Sequence, residues 1–233
     1  MISRKGVIAF DPLSNEAARQ YIRAIKDIAP DKPLLAIIYT HWHVDHSSGA
    51  KILKQEFGNT VPIIAHERTL SRLIRWNDPE ILLPTETIND NGTTLYYDEI
   101  EIELNYIGYG HTNTMLVPRF PKQRLVFAVD FVNNDAVGWR DLPGWYLDEL
   151  IAMQGRLNKL DFDIVAFGHS MPGDKNTIRR QRGYYQDLTS QALLMIAPTL
   201  SSYKKWRNYR DWFRMNIRGA YRWARENKNI IDK

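Results

Sequence analysis

The chain carries three histidines and one aspartate within six residues, in the stretch 41–46 that reads His-Trp-His-Val-Asp-His. This stretch directly follows an apolar run, residues 34–39, that is typical of a buried strand. Because side chains alternate along an extended chain, His41 and His43 can point to one side and bind the same cation. Asp45 and His46 then turn away and can bind a second cation. The spacing therefore predicts a site for divalent metal ions.

Further candidate ligands lie at the ends of other predicted strands. His111, Asp130 and His169 each end or follow an apolar segment, next to glycine or a turn. Strand ends on a rigid scaffold are where metal ligands are delivered with the necessary precision, so these residues are candidates for the same centre. The sixth histidine, His66, begins a predicted helix after a strand. We interpret it as a capping residue and not as a ligand.

The residue types restrict both the metal and the chemistry. Imidazole nitrogens and carboxylate oxygens bind zinc at about 2.0–2.2 Å. The chain has no cysteine, which excludes a thiolate site and leaves Mn²⁺ or Fe²⁺ as alternative occupants. Two cations about 3.5–4 Å apart can share a water molecule and lower its pKa toward neutrality. The resulting bridging hydroxide would attack a carbonyl or phosphoryl group, with Asp45 orienting it and carrying its proton.

The complete pattern resembles the metallo-β-lactamase superfamily of metal-dependent hydrolases, over residues 6–169. The resemblance implies two zinc ions, the first of them bound by three histidines: His41, His43 and His111. It assigns the second ion to one aspartate and two histidines: Asp45, His46 and His169. Asp130 would bridge the two ions. Asp11 matches a residue that steadies the histidine loop in the family, although an ordinary turn aspartate before proline explains it equally well.

Composition is that of one globular domain, residues 1–233. The chain has 233 residues, of which 44% are hydrophobic and 25% charged, so it can bury a sizeable core. No apolar run approaches the roughly 20 residues that span a bilayer, and no signal peptide is visible. We therefore expect a soluble protein with no membrane partner, and the sequence indicates no particular compartment.

Strands alternate with helices at one end of the chain, and hairpins occupy the middle. The pattern predicts strands over eight segments: 6–10, 34–39, 61–65, 93–97, 100–107, 115–119, 124–129 and 164–167. It predicts helices over six segments: 15–28, 49–57, 67–76, 145–160, 176–195 and 207–226. This order fits an α+β fold, and the resemblance implies an αββα two-sheet sandwich. Residues 199–233 would form a C-terminal helical extension packed on that sandwich.

The N-terminus departs from the family pattern. The resemblance implies two or three more strands before the one that reaches Asp11, and residues 1–5 are too few to supply them. We therefore predict an N-terminally shortened fold: either the chain is a truncated form, or its first sheet has an open edge. Because an unpaired edge invites association with another chain, we also predict a homo-oligomer that covers it.

The C-terminal region combines cations with aromatic residues, in a chain of net charge +4. Such a surface could bind nucleic acid, because cations neutralise phosphates and aromatic rings stack on bases. We favour a solvated amphipathic helix instead. Its predicted inward face consists of four residues: Trp212, Met215, Ala220 and Trp223. Its predicted outward face consists of five arginines: Arg210, Arg214, Arg218, Arg222 and Arg225.

Together these patterns predict a zinc-dependent hydrolase that attacks a small-molecule substrate of the ester, lactone, thioester or β-lactam type. One alternative is a metal-dependent nuclease or phosphodiesterase, since branches of the superfamily with that activity use similar ligands. Another is a truncated metal-binding module with little turnover. Substrate choice depends on loops, chiefly 133–144 and 87–91, that the sequence pattern does not specify.

Overall fold

The computed structural model describes residues 1–194 and 201–227, which divide into two compact units. The first unit comprises Met1–Tyr106 and Asn113–Gln123, and the second comprises Ile107–Thr112 and Arg124–Lys233. Among the described residues, no helix combines the length and apolar character needed to cross a membrane.

The first unit begins with a parallel sheet whose strands follow the order of the chain. The sheet has four strands: β1 (Val7–Phe10), β2 (Leu34–Ile38), β3 (Ile63–His66) and β4 (Glu86–Ile88). Four helices lie between these strands: α1 (Asn15–Ile28), α2 (Val44–Ser47), α3 (Ala50–Phe57) and α4 (Glu67–Trp76). Strand-to-helix alternation with parallel pairing places each loop after a strand at the same edge of the sheet.

Local signals explain where the first helix begins and which face it buries. Ser14 caps α1 by accepting a hydrogen bond from the N–H of Ala17. The buried side chains of α1 are Ala18, Ile22 and Ile25, whose spacing of four and three places them on one face. That face packs into a core formed with the apolar strand β2 and with α3.

Three antiparallel strands complete the first unit: β5 (Thr93–Tyr97), β6 (Ile100–Asn105) and β7 (Val117–Phe120). A two-residue turn joins β5 to β6, and Asp98 in this turn adopts a left-handed φ of 57°. Strand β6 alternates between buried residues, Ile100, Ile102 and Leu104, and partly exposed ones, so that one of its faces meets the core.

The second unit contains the parallel strands β8 (Leu125–Ala128) and β9 (Ile164–Phe167). Its helices are α5 (Leu147–Lys159), α6 (Lys175–Leu193) and α7 (Tyr209–Glu226), with a short 3-10 turn at Ser201–Tyr203. A capping box between Asp174 and Thr177 starts α6.

Most predicted elements are confirmed, with small shifts at their ends. The helices over 15–28 and 67–76 and the strands over 93–97 and 164–167 have the predicted bounds. The pattern missed β4 and α2, which are too short to show a periodicity. Met195, the predicted end of the helix over 176–195, lies outside the described residues, as do 199–200 and 228–233 of the predicted extension.

The C-terminal helix α7 is amphipathic, as predicted, but its inward face differs. The five arginines of the outward face are all exposed. The buried residues are Phe213, Asn216, Gly219, Ala220 and Ala224, whereas Trp212, Met215 and Trp223 are only half-buried. Of the four predicted inward residues, Ala220 is confirmed as buried, and the other buried positions apart from Phe213 are small or polar.

Residues at the very start of the chain pair with the edge of the parallel sheet. Ile2 forms an antiparallel bridge with Val7, and the N–H of Ile8 donates to the carbonyl of Met1 over 2.9 Å. The hydroxyl of Ser3 supports this turn by accepting from the N–H of Gly6. Residues 1–5 therefore cover the first part of the β1 edge, and β1 is otherwise the end strand of the parallel sheet.

Candidate metal centre

In the first unit, the residues that precede the histidine cluster are fixed by a buried carboxylate. Asp11 follows β1 with a left-handed φ of 44° and is 2% exposed. One of its oxygens accepts the N–H of Thr40 and the other accepts the Thr40 hydroxyl, both over 2.7 Å. The second oxygen also accepts Nδ1–H of His46 over 3.0 Å. Asp11 therefore steadies the histidine loop, which the sequence left undecided.

These bonds determine the protonation of two imidazoles. The Thr40 hydroxyl gives its proton to Asp11, so its contact of 3.0 Å with Nδ1 of His41 requires that His41 donate. His46 likewise keeps its proton on Nδ1, where Asp11 accepts it. In both rings Nε2 then carries the lone pair that a metal ion needs.

The four predicted ligands of the first unit come together around these lone pairs. Nε2 of His41 lies 3.0 Å from Nδ1 of His43, and the rings of His41 and His46 are 4.4 Å apart. Nε2 of His46 lies 3.3 Å from Oδ2 of Asp45. Asp45 and His46 occupy the single turn α2, which begins immediately after His43. The Asp45 side chain is 57% exposed and can therefore reach a substrate.

This donor set fits a divalent cation. A lone pair on His46 facing the carboxylate of Asp45 at 3.3 Å is repulsive unless a cation or a proton lies between them. Two ligands that bind one tetrahedral zinc ion at about 2.0–2.1 Å are separated by about 3.3 Å. The nitrogens and oxygens of the cluster therefore have the types and separations of metal ligands.

In the second unit, Asp130 faces two of the predicted histidines with its two oxygens. Oδ2 of Asp130 lies 3.3 Å from Nε2 of His111, and Oδ1 lies 3.0 Å from Nε2 of His169. Asp130 follows β8 and His169 follows β9, and these strands pair in register, so their ends lie side by side. Gly168 permits the approach, because an added Cβ would lie 2.7 Å from Cγ1 of Val129.

The loop that carries His111 lies against the start of α5. The indole of Trp145 meets the imidazole of His111 edge-on, with centroids 5.2 Å apart and an interplanar angle of 89°. The N–H of Tyr146 donates to the carbonyl of Gly110 over 3.1 Å. These contacts orient His111 from one side.

The C-terminal region holds the loop that carries His169. The guanidinium of Arg207 donates to the carbonyl of His169 over 2.6 Å, and the N–H of Arg207 donates to the carbonyl of Asp135 over 2.9 Å. The sequence pattern did not predict this role for Arg207. The only related feature of the sequence was the cation-rich composition of this region. That composition does not identify the residue that Arg207 contacts.

His66 is a helix cap, as predicted. It is fully buried, and its Nδ1 accepts the N–H of Arg68 at the start of α4. Its Nε2 lies 3.0 Å from the carboxylate of Asp90, which also accepts the guanidinium of Arg68 over 2.6 Å. Burial and then the charge of Arg68 lower the pKa of His66, and the hydrogen bond with Arg68 lowers the pKa of Asp90.

Trp42, which lies between two candidate ligands, is a packing residue. It is partly buried against the core of the first unit, with its ring 5.6 Å from that of Trp76. The guanidinium of Arg72 lies over the Trp42 ring at 5.5 Å.

Comparison with known proteins identifies the family. The family model described as the metallo-β-lactamase superfamily matches residues 2–169, which is most of the chain. The chain therefore belongs to the metallo-β-lactamase superfamily, a superfamily of hydrolases. A metallo-β-lactamase from Pontibacter korlensis has a similar structure, with a TM-score of 0.68 and 20% identity, over 79% of this chain and 84% of that one. This likeness confirms the predicted α+β fold of the metallo-β-lactamase type.

Two relatives are similar in sequence over most of the chain. The alpha subunit of 2,4-dinitroanisole O-demethylase from Nocardioides sp. is 34% identical over 168 residues, covering 70% of this chain and 49% of the relative. The hydroxyacylglutathione hydrolase GloC from Haemophilus influenzae is 28% identical over 188 residues, covering 76% of this chain and 85% of the relative. The chain thus spans about half the length of the demethylase subunit.

Proposed function

We propose that the chain is a dinuclear metallo-hydrolase. The proposed ligands are the seven residues of the sequence pattern: His41, His43, Asp45, His46, His111, Asp130 and His169. The observation that carries the proposal is the geometry of Asp130, whose two oxygens each face the Nε2 of a different histidine. A carboxylate with two such neighbours is suited to bridging two cations. In this proposal residues 1–233 act as one domain.

The proposed occupants are two Zn²⁺ ions, with Mn²⁺ or Fe²⁺ as alternatives. When bound, a pair of divalent cations acidifies water and polarises the oxygen of the bond under attack. The protein supplies the remaining functions. Asp11 and Thr40 keep the lone pairs of His41 and His46 directed at the centre. Asp45, with its exposed carboxylate, accepts the proton of the attacking water and passes it to the leaving group.

The proposed substrate is a small molecule with an ester, lactone, thioester or β-lactam bond. Support comes from the family and from the name of one relative, a hydroxyacylglutathione hydrolase. Hydrolysis of these bonds needs a water nucleophile and a polarised carbonyl. The proposed centre would supply both.

The test combines metal analysis with a substrate panel. Protein purified with added zinc should contain about two metal equivalents and should hydrolyse at least one of an aryl acetate, a lactone, a thioester or a chromogenic cephalosporin. Asp130→Asn should lower both the metal content and the turnover, because an amide cannot bridge two cations equally. The matched variant Asp27→Asn, at an exposed position on α1, should change neither. Turnover of a phosphodiester alone, or two metal equivalents in Asp130→Asn, would contradict the proposal.

We also propose a homo-oligomer that uses the part of the β1 edge beyond the bridge of Ile2 with Val7. The support is the position of β1 at the end of the parallel sheet. Light scattering at micromolar concentration should give a mass of at least two chains, and the mass of a single chain would refute this proposal.

A further inference from the structure

Four aromatic residues surround a cavity of about 570 Å³ in the second unit: Tyr109, Trp145, Tyr146 and Trp223. The rings of Tyr109 and Tyr146 meet edge-on with centroids 5.2 Å apart, and these residues are 42% and 45% exposed. Large aromatic side chains normally bury most of their surface. Their partial exposure around one cavity leaves ring surface that a ligand can cover.

Helix α7 forms one wall of the cavity. It is in close contact with the loop that contains Asp141. An added Cβ on Gly219 would lie 2.2 Å from the carbonyl oxygen of Asp141, so helix and loop are in direct backbone contact. The guanidinium of Arg222 donates to that same carbonyl over 2.8 Å and to the Asp141 carboxylate over 3.2 Å. Leu142, which is buried, also lines the cavity. The cavity is therefore built into the packing of α7 and is not a gap in a loose surface.

The cavity adjoins a candidate metal ligand. Trp145 lines the cavity and also meets the ring of His111 edge-on at 5.2 Å. Tyr109 precedes His111 by two residues, and Tyr146 is bonded to the carbonyl of Gly110 between them. The indole ring of Trp145 would therefore separate a group bound in the cavity from the imidazole of His111.

The charges at the cavity indicate what it can bind. Its ionisable lining residues include one cation, Arg222, and two acids, Asp148 and Glu226. Arg222 is already paired with Asp141, so the acids dominate the local field and disfavour an anion. Aromatic walls favour a planar ring, and the volume lies within the range of small-molecule sites, about 300–1,000 Å³.

We propose that this cavity is a subsite for a neutral aromatic group of the substrate. The proposal rests on the proposed hydrolase function and adds a substrate class to it. The residues that determine the preference are Tyr109, Tyr146 and Trp223. Trp223 belongs to α7, which lies beyond the residues matched by the family model, so the preference is a property of this chain's own C-terminal region.

Binding of three amide and acid probes to the zinc-loaded protein tests the proposal. Calorimetry should show that naphthalene-2-carboxamide binds with a stoichiometry of one. Decahydronaphthalene-2-carboxamide has a similar size but no aromatic face, and it should bind about three- to tenfold more weakly. The anion 2-naphthoate should also bind more weakly, because Asp148 and Glu226 repel it. Equal affinities for the aromatic and the saturated amide would overturn the proposal.

Variants identify the site of binding. Trp223→Leu and Tyr146→Leu should each weaken binding of naphthalene-2-carboxamide about three- to tenfold, with unchanged circular dichroism. The matched variants Trp76→Leu and Tyr96→Leu, at exposed positions of the first unit, should bind it as the unchanged chain does. Wild-type affinity in both cavity variants, or an equal loss in the matched variants, would overturn the proposal.

The binding measurement is independent of turnover. If the aromatic amide binds as expected while no ester, lactone, thioester or β-lactam is hydrolysed, the hydrolase proposal fails and the aromatic cavity stands. If hydrolysis is observed but aryl and alkyl esters of equal reactivity have equal kcat/KM, the hydrolase proposal stands and the subsite proposal fails.

Discussion

The carboxylate of Asp11 lies 3.0 Å from Nδ1 of His46, and through Thr40 it also determines the proton position on His41. A single buried carboxylate thus fixes the tautomers of two candidate ligands. In this arrangement Asp11 adopts a left-handed backbone conformation, with a φ of 44°, which is uncommon for a residue other than glycine. This strain is located where the histidine loop must be held most accurately.

Replacing Asp11 should weaken metal binding without unfolding the protein. In Asp11→Asn the amide keeps the shape and tolerates a positive φ, but it removes the negative charge that holds the proton on Nδ1 of His46. We expect zinc affinity to fall about 10- to 100-fold, measured by competition with a chromogenic chelator. Asp27→Asn is the control. If the zinc affinity of Asp11→Asn is within twofold of that of the unchanged chain, Asp11 has no orienting role.

Removing the imidazole of His111 should reduce both metal content and turnover. His111→Ala should lose about one of two metal equivalents by elemental analysis, and kcat/KM should fall at least about a hundredfold. His66→Asn should keep the full metal content, because His66 caps a helix and asparagine is also a good cap. Unchanged metal content in His111→Ala would remove this residue from the proposed centre.

Two glycines inside helices should respond in opposite directions to alanine. Gly219→Ala should lower the free energy of unfolding by about 1–3 kcal/mol, because its Cβ would overlap the carbonyl of Asp141. Gly183→Ala should raise it by about 0.5–1 kcal/mol, because its nearest neighbour is 3.8 Å away and alanine favours the helix. Urea denaturation measures both changes. Equal effects of the two substitutions would show that α7 does not depend on this close contact.

The buried His66 should make stability depend on pH. Burial lowers the pKa of His66 below its ordinary value of 6.5, so the unfolded chain takes up a proton more readily than the folded one. The free energy of unfolding should therefore fall as the pH falls below about 6.5. His66→Asn cannot titrate and should lose less stability between pH 7.5 and 5.5, as measured by urea denaturation of the zinc-loaded protein. An identical pH dependence in both proteins would contradict this assignment.

Local patterns in the sequence were sufficient to predict most elements. The strands that end before His41 and His169 are short apolar runs, and helix α1 has an unbroken apolar face after a serine cap. Such elements are specified by neighbours a few residues apart. Strand β4 was missed because only one of its three residues is buried.

The candidate ligands could also be selected from the sequence, because few other roles bring so many imidazoles and carboxylates to the ends of apolar segments. The sequence did not show which ring nitrogen of each imidazole carries the proton. The tautomer of His46 depends on Asp11, which is 35 residues away in the chain and adjacent only in the folded protein.

The sequence by itself determined the types of the ligands, their order and the elements that deliver them, because these properties depend on local composition and spacing. Only the tertiary structure decided that one oxygen of Asp130 faces His111 and the other faces His169. It also decided that α7 lines a cavity beside Trp145. The physical reason is that a distance between side chains from distant segments is set by packing of the whole core. No local pattern in the chain encodes that distance.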